Sequence, residues 1–167
     1  MKNKKDASQN STVFWKMAKD YVDHRLPEIR KVSPNTVKAY RDSLNKYIDY
    51  LEAEKNIRRT DISFSDFNKS NIIDYLDWML NVRKYAYKTC NLRITAIHAL
   101  LEYAANENST DLMSIYLDAY SVKGLKVTAN PVEYFEEHQM KALLAAPNEK
   151  TRTGRRNQMM LILYYDT

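Results

Sequence analysis

Apolar residues recur at helical spacing through most of this chain. Met1 to Asn10 is the exception, a polar, lysine-rich start without apolar periodicity that is expected to be disordered. From Ser11 and Thr12, whose hydroxyls can cap a helix, Phe14, Met17, Ala18 and Tyr21 share one face, and this first helix should end before Pro27. Ser33-Pro34 then supplies a capping hydroxyl and a proline at the first helical position, where a missing N–H costs nothing; Val37, Tyr40, Leu44, Tyr47 or Ile48, and Leu51 follow on one face. After a polar connection over 56–65, Ile72, Ile73, Leu76, Met79 and Leu80 form the stripe of a third helix, capped by Asn68 or Ser70. A fourth helix runs from Tyr87 to Ala105 with Cys90, Ile94, Ile97, Leu101 and Ala104 turned inward, and a weaker fifth spans Leu112 to Tyr120. Such helices, joined by short connections, can bury one shared core.

Ser121 to Pro131 reads as an extended linker: it holds Gly124, alternating Leu125 and Val127, Lys123 and Lys126, and Asn130-Pro131, which disfavours helix. The expected organisation is therefore a disordered 1–10, a helical domain over 11–120, a linker over 121–131 and a second domain opening at 132. In that second part Glu136 and Glu137 begin a helix at its favourable negative end, Met140, Leu143 and Leu144 form its apolar face, and Pro147 closes it. A basic loop, Lys150 to Arg156, leads into Met159 to Tyr165, almost continuously apolar and expected to be a buried helix. Because the sequence stops within it, at Asp166-Thr167, the expectation is a truncated domain whose remainder would cover that helix.

Two glycines and four prolines leave few breaks, so the fold class is all-α, and 44% hydrophobic side chains suffice for a core. The formal net charge is +5, which suits a polyanionic partner without requiring one. The distribution says more: basic segments (Arg83, Lys84, Lys88, Arg93; Lys123, Lys126; Lys150 to Arg156) alternate with acidic ones (Asp61 to Asp77; Glu102 to Asp118). The single Cys90 allows no intrachain disulfide and fits a small core residue in a reducing compartment. No signal peptide and no apolar window of about 18 residues is present, so no membrane association is expected. His24, His98 and His138 lie far apart in sequence, and there is no phosphate loop or nucleophile elbow, so neither a metal nor another cofactor is expected. None of the thirteen tyrosines has a local reason to be activated.

Two helix starts carry the nucleic-acid reading. Ser33, Asn35, Thr36, Lys38 and Arg41 gather hydroxyls, an amide, two cations and uncapped N–H groups at the start of helix two, a place that suits a phosphate. Tyr87, Lys88, Thr89, Asn91, Arg93 and Thr95 put a similar polar and basic strip on helix four, able to reach phosphates and base edges in a major groove. The plain alternative is that Ser33 and Thr89 cap helices while the cations solubilise them.

These same segments resemble a known family. Ser33-Pro34-Asn35-Thr36-Val37-Lys38-Ala39-Tyr40-Arg41 is similar to the S-x-x-T-x-x-x-Y start of the second helix in the SAM-like core-binding domain of tyrosine recombinases and phage integrases. Asp74-Tyr75-Leu76 resembles its third-helix a-Y-L signature, and Thr89 to Ile97 resembles T-i-n-r-r-L-s-a-I, with Leu92 where a basic residue is common. Phe135 to Leu144 resembles the entry into the catalytic domain, and Arg156 to Thr167 resembles the R-D-x-A-L-L-x-L-L-Y-x-T run that precedes Gly-x-Arg. The resemblance implies a C-shaped clamp on double-stranded DNA, with Lys123 and Lys126 in a basic linker along it and other recombinase subunits joining in a synaptic complex. It also implies transesterification through a 3′-phosphotyrosyl link, without metal, in the cytoplasm of a bacterium. The catalytic residues of that pattern lie beyond Thr167, so no catalytic residue is assigned and the chain alone is expected to bind DNA without cutting it. Two rivals remain, a helical protein-interaction module and a DNA-binding regulator that never recombines; an uncapped apolar end argues against both as self-contained modules.

Overall fold

The computed structural model describes residues 4–107, 110–127 and 134–166, and among them every regular element is helical. The expected stretches 128–131 of the linker and 132–133 of the second part lie outside the described residues. Helix α1 spans Lys4–Asp20. It starts earlier than the capping hydroxyls suggest, since no glycine or proline interrupts Lys4 to Asn10, which corrects the expected disorder there. Ser11 lies inside this helix, buried, and its Oγ donates to the Thr60 carbonyl at 2.6 Å. Pro27 does not end the helical path either. Tyr21–Ile29 continues as a wider π-type turn with Pro27 inside, closed by the Arg30 N–H on the Arg25 carbonyl at 2.9 Å. The wider ladder accommodates a proline that would remove a bond and collide with a carbonyl in an α-helix.

Helix α2 spans Pro34–Glu54, with the Ser33 side chain accepting the Thr36 N–H at 3.2 Å. The connection after it is not simply polar. Two short 3-10 turns, Arg59–Asp61 and Phe64–Phe67, bury Phe64 and Phe67, and Ile62 between them is fully buried. Helix α3 spans Lys69–Asn81, capped by Asn68, and buries Ile72, Tyr75 and Met79 while Ile73 is exposed. Helix α4 spans Tyr87–Glu107 and α5 Thr110–Tyr120. The inward face of α4 is the one its periodicity predicts, with Cys90, Ile94, Ile97, Leu101 and Ala104 all buried, and it packs against α2, α3 and α5. Aromatic rings knit the far side: Phe14 meets Phe64 and Phe67 at 5.2 and 5.1 Å, and Tyr47 meets Phe67 and Tyr75 at 4.9 and 5.0 Å. Edge and tilted contacts of this kind add about 0.5–1.5 kcal/mol each beyond burial.

The chain divides into two compact units, Met1–Val127 and Thr128–Thr167. Residues 121–127 are non-helical and belong to the first unit, with Val122 buried and Leu125 packed on the core. The second unit contains α6, Glu137–Ala145, with a reciprocal cap between Glu136 and Gln139, and α7, Arg152–Asp166. Helix α7 starts about two turns before the apolar run, so Arg152, Arg155 and Arg156 are helical rather than in a loop. Gly154 is required there: a Cβ would stand 1.9 Å from the Asn148 carbonyl oxygen. Met159 to Tyr165, expected to be buried, is largely exposed, with Met159 at 63% and Tyr164 at 78%. One nine-residue helix, α6, cannot cover every side of α7 within this unit.

Candidate nucleic-acid interface

The start of α2 presents its polar groups unevenly. Ser33 and Thr36 hold each other, hydroxyl to hydroxyl at 2.9 Å, while Asn35 and Lys38 are exposed. Arg41 donates to Asp23 at 2.9 Å, so its charge is already countered. Thr36 and Tyr40 line a cleft of about 250 Å³ together with Thr95 of α4, which brings the two predicted helix starts to a common edge.

At the start of α4, Tyr87 and Lys88 are exposed, Thr89 is half-buried, and its N–H bonds the Ala86 carbonyl at 2.9 Å. Arg93 is half-buried and its guanidinium lies 4.2 Å from the centre of the Tyr85 ring. One Arg93 Nη and the Tyr75 hydroxyl are buried without a well-formed hydrogen bond. Burial pushes the Tyr75 phenol up to about 12, and the nearby Arg93 charge opposes that rise. The turn before α4 is tightly built: the Val82 and Arg83 N–H groups share the Trp78 carbonyl, and the Tyr85 N–H bonds the Met79 carbonyl. Lys84 takes a left-handed conformation at φ 55. Arg83 stacks 5.4 Å from the Trp78 ring, and Arg83 and Arg93 together hold the Tyr85 hydroxyl below its usual pKa. Sequence reasoning left Arg83, Lys84 and Tyr85 out of the site although the basic run included the first two; they lie on a turn, outside any helix stripe.

Asn91 behaves differently from its neighbours. Its Nδ2 donates to the Leu125 carbonyl at 2.8 Å and its Oδ1 accepts the Leu125 N–H at 2.7 Å, so the amide is occupied by backbone. One helical turn pair further along, the His98 Nε2 lies 3.0 Å from the Ala119 carbonyl, which assigns it as the N–H donor. Residues 119–125 therefore run along α4 from His98 back to Asn91, carrying Lys123, whose ammonium lies 4.4 Å from the centre of the Tyr120 ring. Lys126 and Thr95 are exposed, as is Leu92 at 43%.

The cations of the first unit differ in whether a carboxylate holds them. Arg41, Lys46, Lys55, Arg58 and Arg59 each have a carboxylate partner, at 2.9, 3.6, 2.5, 2.7 and 2.6 Å. Among the described residues, Arg83, Lys84, Lys88, Arg93, Lys123 and Lys126 have none within 4.0 Å. These six share the α3–α4 turn, the start of α4 and the segment docked on it; Lys16, Lys19, Arg25, Arg30, Lys31, Lys38 and Lys69 of the same unit also have no such partner among the described residues. No group of three metal-ligating side chains occurs among the described residues, and no described helix is long and apolar enough to cross a membrane.

Similar proteins agree in kind. Over 146 residues the chain is 29% identical to y4rC of Sinorhizobium fredii, named as an integrase/recombinase, covering 86% of this chain and 43% of that protein. It is 24% identical over 160 residues to the tyrosine recombinase XerC of Chlamydia caviae, covering 85% of this chain and 48% of the relative. The chain thus spans about half the length of these curated relatives. No solved structure matches it. Residues 19–108 match the family described as phage integrase, N-terminal SAM-like domain, and the chain belongs to that family.

Proposed function

We propose that the first unit is the DNA-gripping domain of a site-specific tyrosine recombinase and binds the backbone of duplex DNA through the α3–α4 turn, the start of α4 and the segment carrying Lys123 and Lys126. In this reading residues 11–120 are the core-binding domain, 121–131 connect it, and 132–167 open the catalytic domain of an enzyme acting in the bacterial cytoplasm with other subunits. The observation that carries it is that six cations from Arg83 to Lys126, none with a carboxylate partner among the described residues, gather on the α3–α4 turn, the start of α4 and the segment hydrogen-bonded to α4. A cation without an internal partner can exchange its counterion for a phosphate at no structural cost, and release of the counterions condensed on DNA then drives association. Thr36 lines the α2–α4 cleft with Thr95, and Ser33, Asn35 and Lys38 share its helix start and form the flank of the proposed surface. Arg41 contributes less, because Asp23 already holds it.

Titration of a labelled duplex at two ionic strengths tests the reading. Contact with roughly four phosphates gives a slope of log affinity against log salt near −3 to −4. Binding that is absent at low salt, or indifferent to salt, removes the DNA reading and favours a protein partner on the same surface.

A further inference from the structure

Asn91 sits in the middle of the polar strip on α4, where its type and position suggest contact with a base edge. Its geometry says otherwise. Both its amide groups are taken by the backbone of one residue, the Leu125 N–H and C=O, across 34 residues of sequence. The adjoining residue is Gly124, and a Cβ there would stand 3.1 Å from the Asn91 Oδ1 and 3.3 Å from its Cγ, tighter than ordinary contact. The backbone therefore comes close to the amide at the one position where a side chain is lacking. Leu125 itself packs against the core and Val122 is buried, so the segment is anchored at two further points. The exposed Lys123 lies between these anchors and the exposed Lys126 directly after them.

We propose that Asn91 is a positioning residue, a latch that fixes residues 123–126 against α4 so that Lys123 and Lys126 extend the cationic surface of Lys88 and Arg93, and that it does not read DNA directly. This rests on the DNA-binding reading above. The physical case is one of entropy. A free segment carrying two lysines loses backbone freedom when it lands on a phosphate backbone, whereas a latched segment has already lost it in folding. Asparagine suits the task because its donor and acceptor match the C=O and N–H of the one residue facing it; aspartate keeps the acceptor for the Leu125 N–H but sets a negative oxygen against the Leu125 carbonyl.

The test uses the whole chain, with amide hydrogen exchange at Leu125 and affinity for a mixed-sequence duplex measured on the same samples. Asn91→Ala, a better helix former at that position, should leave helicity unchanged and raise the Leu125 exchange rate by roughly tenfold or more, as expected when two part-buried hydrogen bonds are lost. Its affinity should fall by about the same factor as in the Lys123→Ala/Lys126→Ala double variant, and adding Asn91→Ala to that double variant should cost little more. Asn91→Asp, which preserves side-chain size, should also give faster Leu125 exchange, and its loss of affinity should be at least as large as alanine's, because it also sets a carboxylate among the cations of α4. Unchanged exchange at Leu125 in both Asn91 variants overturns the latch. So does a loss of affinity from Asn91→Ala that adds in full to that of the lysine double variant, because this is the behaviour of a direct contact. If the unsubstituted chain binds no DNA, the DNA reading fails, while the exchange at Leu125 still decides whether the latch exists.

Discussion

Two stretches of equal length in the first unit use their cations in opposite ways. Residues 41–59 hold five cations and four carboxylates, and residues 83–101 hold four cations and no carboxylate. In the first stretch every cation is paired, Arg59 with Asp49 and, more distantly, Glu52. In the second none is among the described residues, and the guanidinium groups lie on aromatic rings instead, Arg83 on Trp78 and Arg93 on Tyr85. A stacked arginine keeps its charge available while its plane is held, so it is preorganised for an anion. A paired surface cation is neutralised locally and, being exposed, gains only about 0–1 kcal/mol by it. On the proposed reading, it is the clustering of unpaired cations in fixed positions, and not basicity alone, that marks the DNA-facing surface.

The largest expected effect would break this comparison if it failed. Replacing Arg83, Lys84 and Lys88 together with alanine should lower duplex affinity roughly 10- to 100-fold at low salt and reduce the salt slope by about three units, whereas replacing Lys46, Lys55 and Arg59 together should change affinity less than about threefold. Filter or fluorescence titration with circular dichroism as a folding control measures both; equal losses would reduce the binding to diffuse charge. A smaller effect sharpens the comparison from the other side. Asp49→Asn and Asp74→Asn should release Lys46 and Lys55 and leave Arg59 only its more distant Glu52, raise DNA affinity by about two- to threefold, and shift stability by no more than about 1 kcal/mol, read from urea midpoints.

The smallest effect concerns pH. Burial, with Lys123 nearby, holds the His98 imidazole below its usual 6.5, against the pull of the Ala119 carbonyl. The unfolded chain then takes up a proton more readily than the folded one, so stability from this group is full above about pH 6.5 and is lost as pH falls through the lowered folded value. Thermal melts from pH 8 to 5 should show this modest acid loss, and His98→Gln, which keeps an N–H donor, should flatten it. An unaltered pH profile in that variant would remove His98 from the account.

Much of the fold was legible because helix stripes are local. Val37 to Leu51 and Cys90 to Ala104 need only a 3.6-residue period to declare their buried faces, and Ser33-Pro34 declares its own helix start. Phe64, Ile62 and Phe67 were not legible, since turns of three or four residues are too short for any period to show. Pro27 misled for a related reason: its penalty in an α-helix is local, and the wider turn that tolerates it is held by the packing of Tyr21, Val22 and Leu26. The helical start at Lys4 escaped because a polar helix has no apolar stripe to announce it.

For the candidate site the division is sharper. The sequence by itself determined that this chain is helical, that two helix starts are rich in hydroxyls and cations, and that residues 83–101 carry no carboxylate. Only the tertiary structure decided which charges remain available. Arg41 meets Asp23 from 18 residues away, Lys55 meets Asp74 from 19, and Asn91 meets Leu125 from 34. Hydrogen bonds and ion pairs act over about 3–4 Å in space. Composition and period register neighbours along the chain, so they cannot see a partner that folding brings from several turns away.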